Sequence, residues 1–243
     1  MWRRLASPLR EFGWRDGALY LIDRLLRGVS PACGLYLYDL VRQPIGREPL
    51  LSANRLKNLR FAEVPRGHPD IDRMPARAEI KARRFEQAAR CLGVYRNDVL
   101  IAYVWLCFDA YEEDEVRCTY RLVQPDRSVF DFDLYVFPEH RMGTAFTAVW
   151  HGANTWLRER GIEDTFSRVT RFNLASRRSH AHLKAARVGV AAFLKLWRVE
   201  IMMASVAPWF AVTWSLAQRV QLRLAPRPAR EPGAGMPGAK SVR

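Results

Sequence analysis

Three groups of residues in this 243-residue chain have the types and spacing to do chemistry. The first is a turn. Residues 131–137, DFDLYVF, alternate like a strand, break at Pro138-Glu139, turn through Arg141, Met142 and Gly143, and enter a stretch whose apolar residues Phe146, Val149, Trp150, Ala153, Trp156 and Leu157 recur at helical spacing. A strand that enters a helix this way presents unpaired amides carrying partial positive charge, which suits a phosphate group. The second group is a pair of carboxylates. Strand alternation places Asp131, Asp133 and Tyr135 on one face and Phe132, Leu134 and Val136 on the other, so two acids point the same way from an apolar segment where charge is costly. They can accept a proton or attract a cation, or pair with Arg117 or Arg121 on a neighbouring strand. The third is a second strand-to-helix junction, in which residues 167–172 stop at Asn173 and open a helix carrying Ser176 and His180.

Around these groups strands and helices are interleaved. Periodicity predicts a helix capped by Asp16 and ended by Gly28, with Leu19, Ile22 and Leu26 as its apolar stripe, then a strand over 33–41. Pro44, Gly46 and Pro49 mark 43–58 as a connector, and a strand over 59–64 begins a new unit. A helix over 77–89 follows, then strands over 91–95 and 99–108 joined at Asn97-Asp98, a hairpin signal, and another strand over 115–123. Tyr103, Trp105 and Cys107 alternate as core residues, and the acidic run from Glu112 to Glu115 reads as a solvated turn that could select a basic acceptor. Beyond 187 come a strand pair, VGVAAFLKLW and RVEIMMAS, and an apolar helix after Pro208. Residues 201–218 hold no formal charge, but Pro208 interrupts them and they only just approach the roughly 20 apolar residues needed to span a bilayer.

The two junctions together resemble the coenzyme site of GNAT-type N-acetyltransferases. That family's turn reads Arg or Gln, two residues, Gly, one residue, then Gly or Ala; here Gly143 and Ala145 keep that spacing with His140 first, and counting from Arg141 puts Thr144 at the Gly position. The resemblance covers roughly 59–205 and implies a mixed α/β fold, a central splayed β-sheet flanked by helices. It implies acetyl-CoA as co-substrate, with the pyrophosphate at Arg141, Met142, Gly143, Thr144 and Ala145, and the thioester carbonyl at a backbone N–H of Val136 or Phe137. It further implies that the Asn173 amide meets the pantetheine arm, that Ser176 fills a small-residue position, and that His180 replaces a Tyr which protonates the leaving thiolate. An imidazole near its ordinary pKa of roughly 6.5 is able to donate that proton; alternatively, His180 is simply an exposed residue on a basic helix beside Arg177, Arg178 and Lys184, the last standing where the family often has Gly. Asp131 and Asp133 lie where many members carry a catalytic Glu, which makes either a base for direct attack by a primary amine.

Composition frames this reading. The chain carries 39 Lys and Arg against 25 Asp and Glu, a net charge of +14 that favours anionic partners without choosing among coenzyme phosphates, acidic lipid and nucleic acid. Its four cysteines form no Cys-x-x-Cys pair, and the first residues lack the apolar run of a secretory signal, so a cytoplasmic, membrane-peripheral location is expected. No metal is expected, since His180 and His182, two apart on a helix, do not share a face. The expected organisation is an N-terminal helix-strand extension over 1–58, an acyltransferase domain over 59–225 and a disordered Pro/Gly-rich tail over 226–243. The tail's Gly233-x-Gly235-x-x-Gly238 follows no strand and contains Pro237, so it is no dinucleotide fingerprint. The expected partners are an amine-bearing acceptor, an anionic membrane met through Trp209, Phe210 and Trp214 with Arg219 and Arg223, and a second copy of the chain; nucleic acid is not expected. The rival readings are a GNAT-like module that binds coenzyme or a partner without turnover, and a basic peripheral membrane or nucleic-acid binder.

Overall fold

The structure is a computed structural model that describes residues 2–226. Helix α1 (Trp2–Val29) is two helices joined at Gly13, whose φ of 78° and ψ of 166° an L side chain would resist. Helical structure resumes directly after this break, so Asp16 is no cap; it pairs with Arg171 at 3.0 Å. Asp23 instead ties the helix to strand β1 (Gly34–Pro44) by accepting the Leu35 N–H at 2.8 Å. Helix α2 (Ala53–Leu56) and strand β2 (Leu59–Glu63) follow, then helices α3 (Asp70–Arg73) and α4 (Ala78–Glu86) and strands β3 (Arg90–Arg96) and β4 (Val99–Cys107). The β3–β4 turn has φ of 50° at Asn97 and 59° at Asp98, the positive pair that such a two-residue hairpin requires.

The chain continues through β5 (Ala110–Glu112), β6 (Cys118–Leu122), β7 (Ser128–Val136), α5 (Ala145–Arg158), β8 (Asp164–Thr170), α6 (Leu174–His182), β9 (Ala186–Leu196), β10 (Val199–Ala204), β11 (Phe210–Thr213) and β12 (Val220–Leu224). Nine strands form one mixed sheet, ordered β11-β10-β9-β1-β8-β7-β4-β3-β2, and β12-β6-β5 form a smaller one. The N-terminal strand β1 thus lies inside the large sheet, antiparallel to β8 along one edge and to β9 along the other.

After Pro208 the expected helix is absent and two strands take its place. Val220, Leu222 and Leu224 alternate with Gln221 and Arg223, and this period of two buries the three apolar residues where β12 runs parallel to β6. Among the described residues no helix is long and apolar enough to cross a membrane. From residue 227 onward the expected tail, with its glycine pattern, lies outside the described residues.

Each face of the large sheet buries its own core. On one, Tyr103, Trp105, Phe130 and Phe132 pack against Tyr111 and Tyr120 of the small sheet, with α4 alongside through Phe85; this is the aromatic face. On the other, the helix face, Val104, Leu106 and Val129 pack against Val149, Trp150, Ala153 and Leu157 of α5, each Val or Leu side chain contributing about 1.5 to 3 kcal/mol of burial. Gly152 permits the close seating of α5, since a Cβ there would come within 2.1 Å of the Phe61 ring on β2.

Candidate coenzyme and transfer site

Among the described residues, β7 and β8 are the parallel pair of the large sheet, and they pair only from Ser128 to Phe130 against Asp164 to Phe166. Beyond those residues β7 stays with β4 and β8 with β1, so the two strands part into a fork. Helix α5 follows the end of β7 and helix α6 the end of β8, which brings both sequence junctions to the same end of the fork. This is the splayed mixed sheet that the sequence implied.

The two carboxylates do not share a face. The register of β7 on β4 shifts between Tyr103 and Trp105, a bulge that places Asp133 at a φ of 46°, a left-handed conformation that Asp tolerates better than most residues. Strict alternation fails there. Asp133 turns to the aromatic face and receives Arg84 Nη1 at 2.5 Å. The same guanidinium holds Asp114 at 2.9 Å and lies over the Trp105 and Phe132 rings. Burial raises the Asp133 pKa, and the Arg84 charge pulls against that rise. Neither Arg117 nor Arg121 takes part: Arg117 lies beside Glu200 and donates to backbone carbonyls, while Arg121 pairs with Asp109.

Asp131 remains on the helix face, at the root of the fork. It is 3% exposed, lies near the hydroxyls of Thr165 and Ser167, and its Oδ1 has no hydrogen-bond partner. Burial pushes its carboxyl up to about 7, with the two hydroxyls opposing the shift. The Thr165 and Ser167 hydroxyls are themselves buried without partners. A buried carboxyl that titrates near neutrality suits proton exchange in catalysis.

The turn from β7 into α5 forms where the sequence placed it. Pro138–His140 is a single 3-10 turn, Gly143 N–H donates to His140 O at 3.3 Å, and the first bond closing onto α5 runs from Ala148 N–H to Thr144 O at 2.8 Å. The amides of Ala145, Phe146 and Thr147 precede that bond and so lack partners within the helix. Arg141, Met142 and Gly143 are exposed beside them, and Thr144 makes no side-chain cap bond. Arg141 Nε donates to Val136 O at 3.1 Å and its guanidinium lies over Tyr135. The exposed turn thus offers free helix amides and one arginine, with Glu139 exposed at its start. Phe137 does not fit its implied part, because its N–H already donates to Ile101 O at 3.1 Å.

At the second junction Asn173 caps α6, its Oδ1 accepting the Ser176 N–H at 3.0 Å. That bond occupies both the Asn173 carbonyl and the Ser176 amide, leaving the Asn173 NH2 group to meet a ligand. His180 is not the exposed residue of the alternative reading. It packs edge-on against Trp150 of α5, with ring centroids 6.4 Å apart, and its Nδ1 is enclosed without a partner. Burial pushes its pKa down to about 4, so at neutral pH it is a neutral imidazole and not the imidazolium acid expected.

The acidic run is solvated only in part, with Glu112 and Glu115 exposed and Glu113 and Asp114 turned inward. Glu113 is buried and receives Arg168 Nε at 2.7 Å and Nη2 at 2.8 Å; Glu115 accepts from Arg168 and from the Tyr38 hydroxyl; Asp114 holds Arg83 and Arg84. Three groups that touch Asp131, Asp133 or His180 carried no signal of that role in sequence: Arg84, Thr165 and Trp150. Only their positions within periodic segments were legible.

No protein-family model matches this chain, and no curated protein matches it. Among solved structures, a functionally unknown conserved protein from Staphylococcus epidermidis is 10% identical over 70% of this chain and 64% of its own, with a TM-score of 0.45. A tandem GNAT protein from the clavulanic acid biosynthesis pathway is 15% identical over 63% of this chain and 50% of its own, TM-score 0.43. A putative acetyltransferase from the GNAT family of Novosphingobium aromaticivorans is 13% identical over 67% and 66%, TM-score 0.42. The chain thus spans between half and two thirds of the length of each. At these identities and TM-scores both the fold and the chemistry have to be argued from this chain's own residues.

Proposed function

We propose that this chain is an acyl-CoA-dependent N-acetyltransferase that moves an acetyl group from acetyl-CoA to a primary amine by direct attack. The observation that carries this reading is the fork: two parallel strands part next to a buried carboxyl whose Oδ1 has no hydrogen-bond partner, and each strand then enters a helix through a turn with free amides or side chains. In this reading Asp131 takes the proton as the amine nitrogen bonds to the thioester carbonyl carbon and the carbon–sulfur bond breaks. The sulfur leaves as thiolate and is reprotonated from water. Neutral His180 serves as its hydrogen-bond neighbour rather than as a charged acid, and the turn from Arg141 to Ala145 takes the pyrophosphate. The Asn173 NH2 group meets the pantetheine arm, while Asp133 is an anchor for Arg84 and not a second base. Four free, buried cysteines suit the reducing cytoplasm in which such a coenzyme is used.

Coenzyme binding without turnover is the second reading. One observation favours it: the committed Phe137 N–H removes a donor from the thioester carbonyl.

Purified chain is assayed for melting temperature with coenzyme A, then for thiol release from acetyl-CoA with polyamine, amino-sugar and peptide amines. The expected result is a coenzyme-dependent rise in melting temperature that Arg141→Ala weakens, and amine-dependent thiol release that increases with pH through about 7. Absence of any shift at saturating coenzyme sinks both readings. A shift with no release across the panel leaves the binder.

A further inference from the structure

We propose that the outer wing of the large sheet, formed by β9, β10 and β11, docks on an anionic membrane surface. The inference is independent of the acetyltransferase reading.

Its basis is an open apolar sheet face. Registers on β10 place Phe210, Met203 and Ala192 in one row across the three strands, and Val212, Ile201 and Leu194 in the next. All six lie on the side away from the aromatic core, to which Met202 and Phe193 contribute. The contrast within β10 is sharp: Met202 is 1% exposed and its neighbour Met203 is 58%. The strip continues into a cavity of about 310 Å³ lined by Leu37, Val190, Ala192 and Met203, with Arg171 on its rim. Two indoles stand just outside β11, Trp209 at 71% exposure and Trp214 at 65%, with Leu216 beyond them. Exposed apolar area on this scale marks an interaction surface, and Trp is the side chain most suited to the boundary between lipid headgroups and acyl chains.

Charge identifies the occupant. Residues 186–226 contain Arg187, Lys195, Arg198, Arg219 and Arg223 against a single acid, Glu200, which is buried. Arg198 and Arg223 are exposed. Arg187 lies beside Asp39, Arg219 pairs with Glu112 and Lys195 reaches the Glu115 carbonyl, which leaves Arg198 and Arg223 as the cations that complement a surface apolar beneath an anionic layer. A second copy of the chain complements it poorly, because each copy carries +14 and the same cations would face one another.

The test is co-sedimentation of the full chain with vesicles of phosphatidylcholine alone and of phosphatidylcholine with about one third phosphatidylglycerol, as salt is raised through the range that screens exposed charge. Binding is expected to the anionic vesicles only, and to weaken with salt. The triple variant Trp209→Ala, Phe210→Ala, Trp214→Ala should lower the partition coefficient by at least about tenfold, and Arg198→Ser with Arg223→Ser by about fivefold per arginine. These side chains are exposed, so circular dichroism and melting temperature should match the parent chain. Failure to sediment with anionic vesicles overturns the proposal. So does binding that survives the triple variant, which would assign it to net charge alone. Sedimentation velocity showing a dimer that the triple variant abolishes, with no vesicle binding, would give the face to a second copy instead.

Discussion

Asp131 and Asp133 sit two residues apart on β7, both inside the protein, and the fold treats their charge in different ways. The bulge sends Asp133 to the aromatic face, where Arg84 bridges it to Asp114 and an ion pair offsets part of the burial cost. On the helix face Asp131 has no cation against it, and the same cost appears as a carboxyl pushed up to about 7. A buried carboxylate either finds a partner or takes up a proton, and only the second arrangement leaves a group free to exchange one. One strand therefore carries an anchor and a candidate base, and the two separate by experiment.

The largest effect belongs to the anchor. Arg84→Ala leaves Asp133 without its cation, while Asp114 keeps Arg83, and the loss of stability in urea denaturation should be about 3 to 4 kcal/mol at pH 7. Arg84→Lys should recover only part of this, because one ammonium lacks the fork that now reaches both acids. A loss under 1 kcal/mol would mean that Asp133 is not held as the geometry indicates, and the contrast with Asp131 would collapse.

Asp131→Asn should do the opposite to stability while lowering turnover. Its folded pKa is raised, so the native state keeps a proton that the unfolded chain releases above about 4. The stability Asp131 contributes is full below about 4 and is lost as pH rises to about 7. The Asn variant lacks this decline and should be about 2 to 4 kcal/mol more stable than the parent at pH 8, with kcat down about 100-fold. Asp133→Asn should gain less at pH 8, because burial raises its pKa too but Arg84 loses a partner that offsets part of that cost. If Asp133→Asn gains as much as Asp131→Asn, the two acids are not different in kind.

Sequence showed the positions of these acids but not their difference. Alternation over 131–136 assumes an unbroken period of two, and the bulge that breaks it depends on how β7 meets β4. Asp133 pairs with a residue 49 positions away in sequence, on a helix whose placement no local pattern reveals. What was legible is local: the Asn97-Asp98 hairpin, the turn from Pro138 into α5, and Asn173 at the head of α6. Strand β12 also had a local signal, the alternation in VQLRL, but its position after an uncharged, Trp-rich stretch made a helix the easier reading. The placement of β1 between β8 and β9 had none, since periodicity gives a strand's existence and not its neighbours.

The smallest effect sits at the second junction and sharpens the comparison by asking whether another polar group works through structure or through a ligand. Asn173 accepts the Ser176 N–H, so Asn173→Ala should cost about 1 kcal/mol of stability and loosen the start of α6. Asn173→Asp keeps the acceptor, and its charge is favourable at a helix N-terminus, so the cap should survive. The two variants therefore divide the roles. If Asn173 serves only as a cap, KM for the coenzyme rises in the Ala variant and returns to the parent value in Asp. If its NH2 group also donates to the pantetheine arm, both variants raise KM by a similar factor while only Ala loses stability, and Asn173 joins Asp131 among the groups whose partner is a ligand rather than the fold.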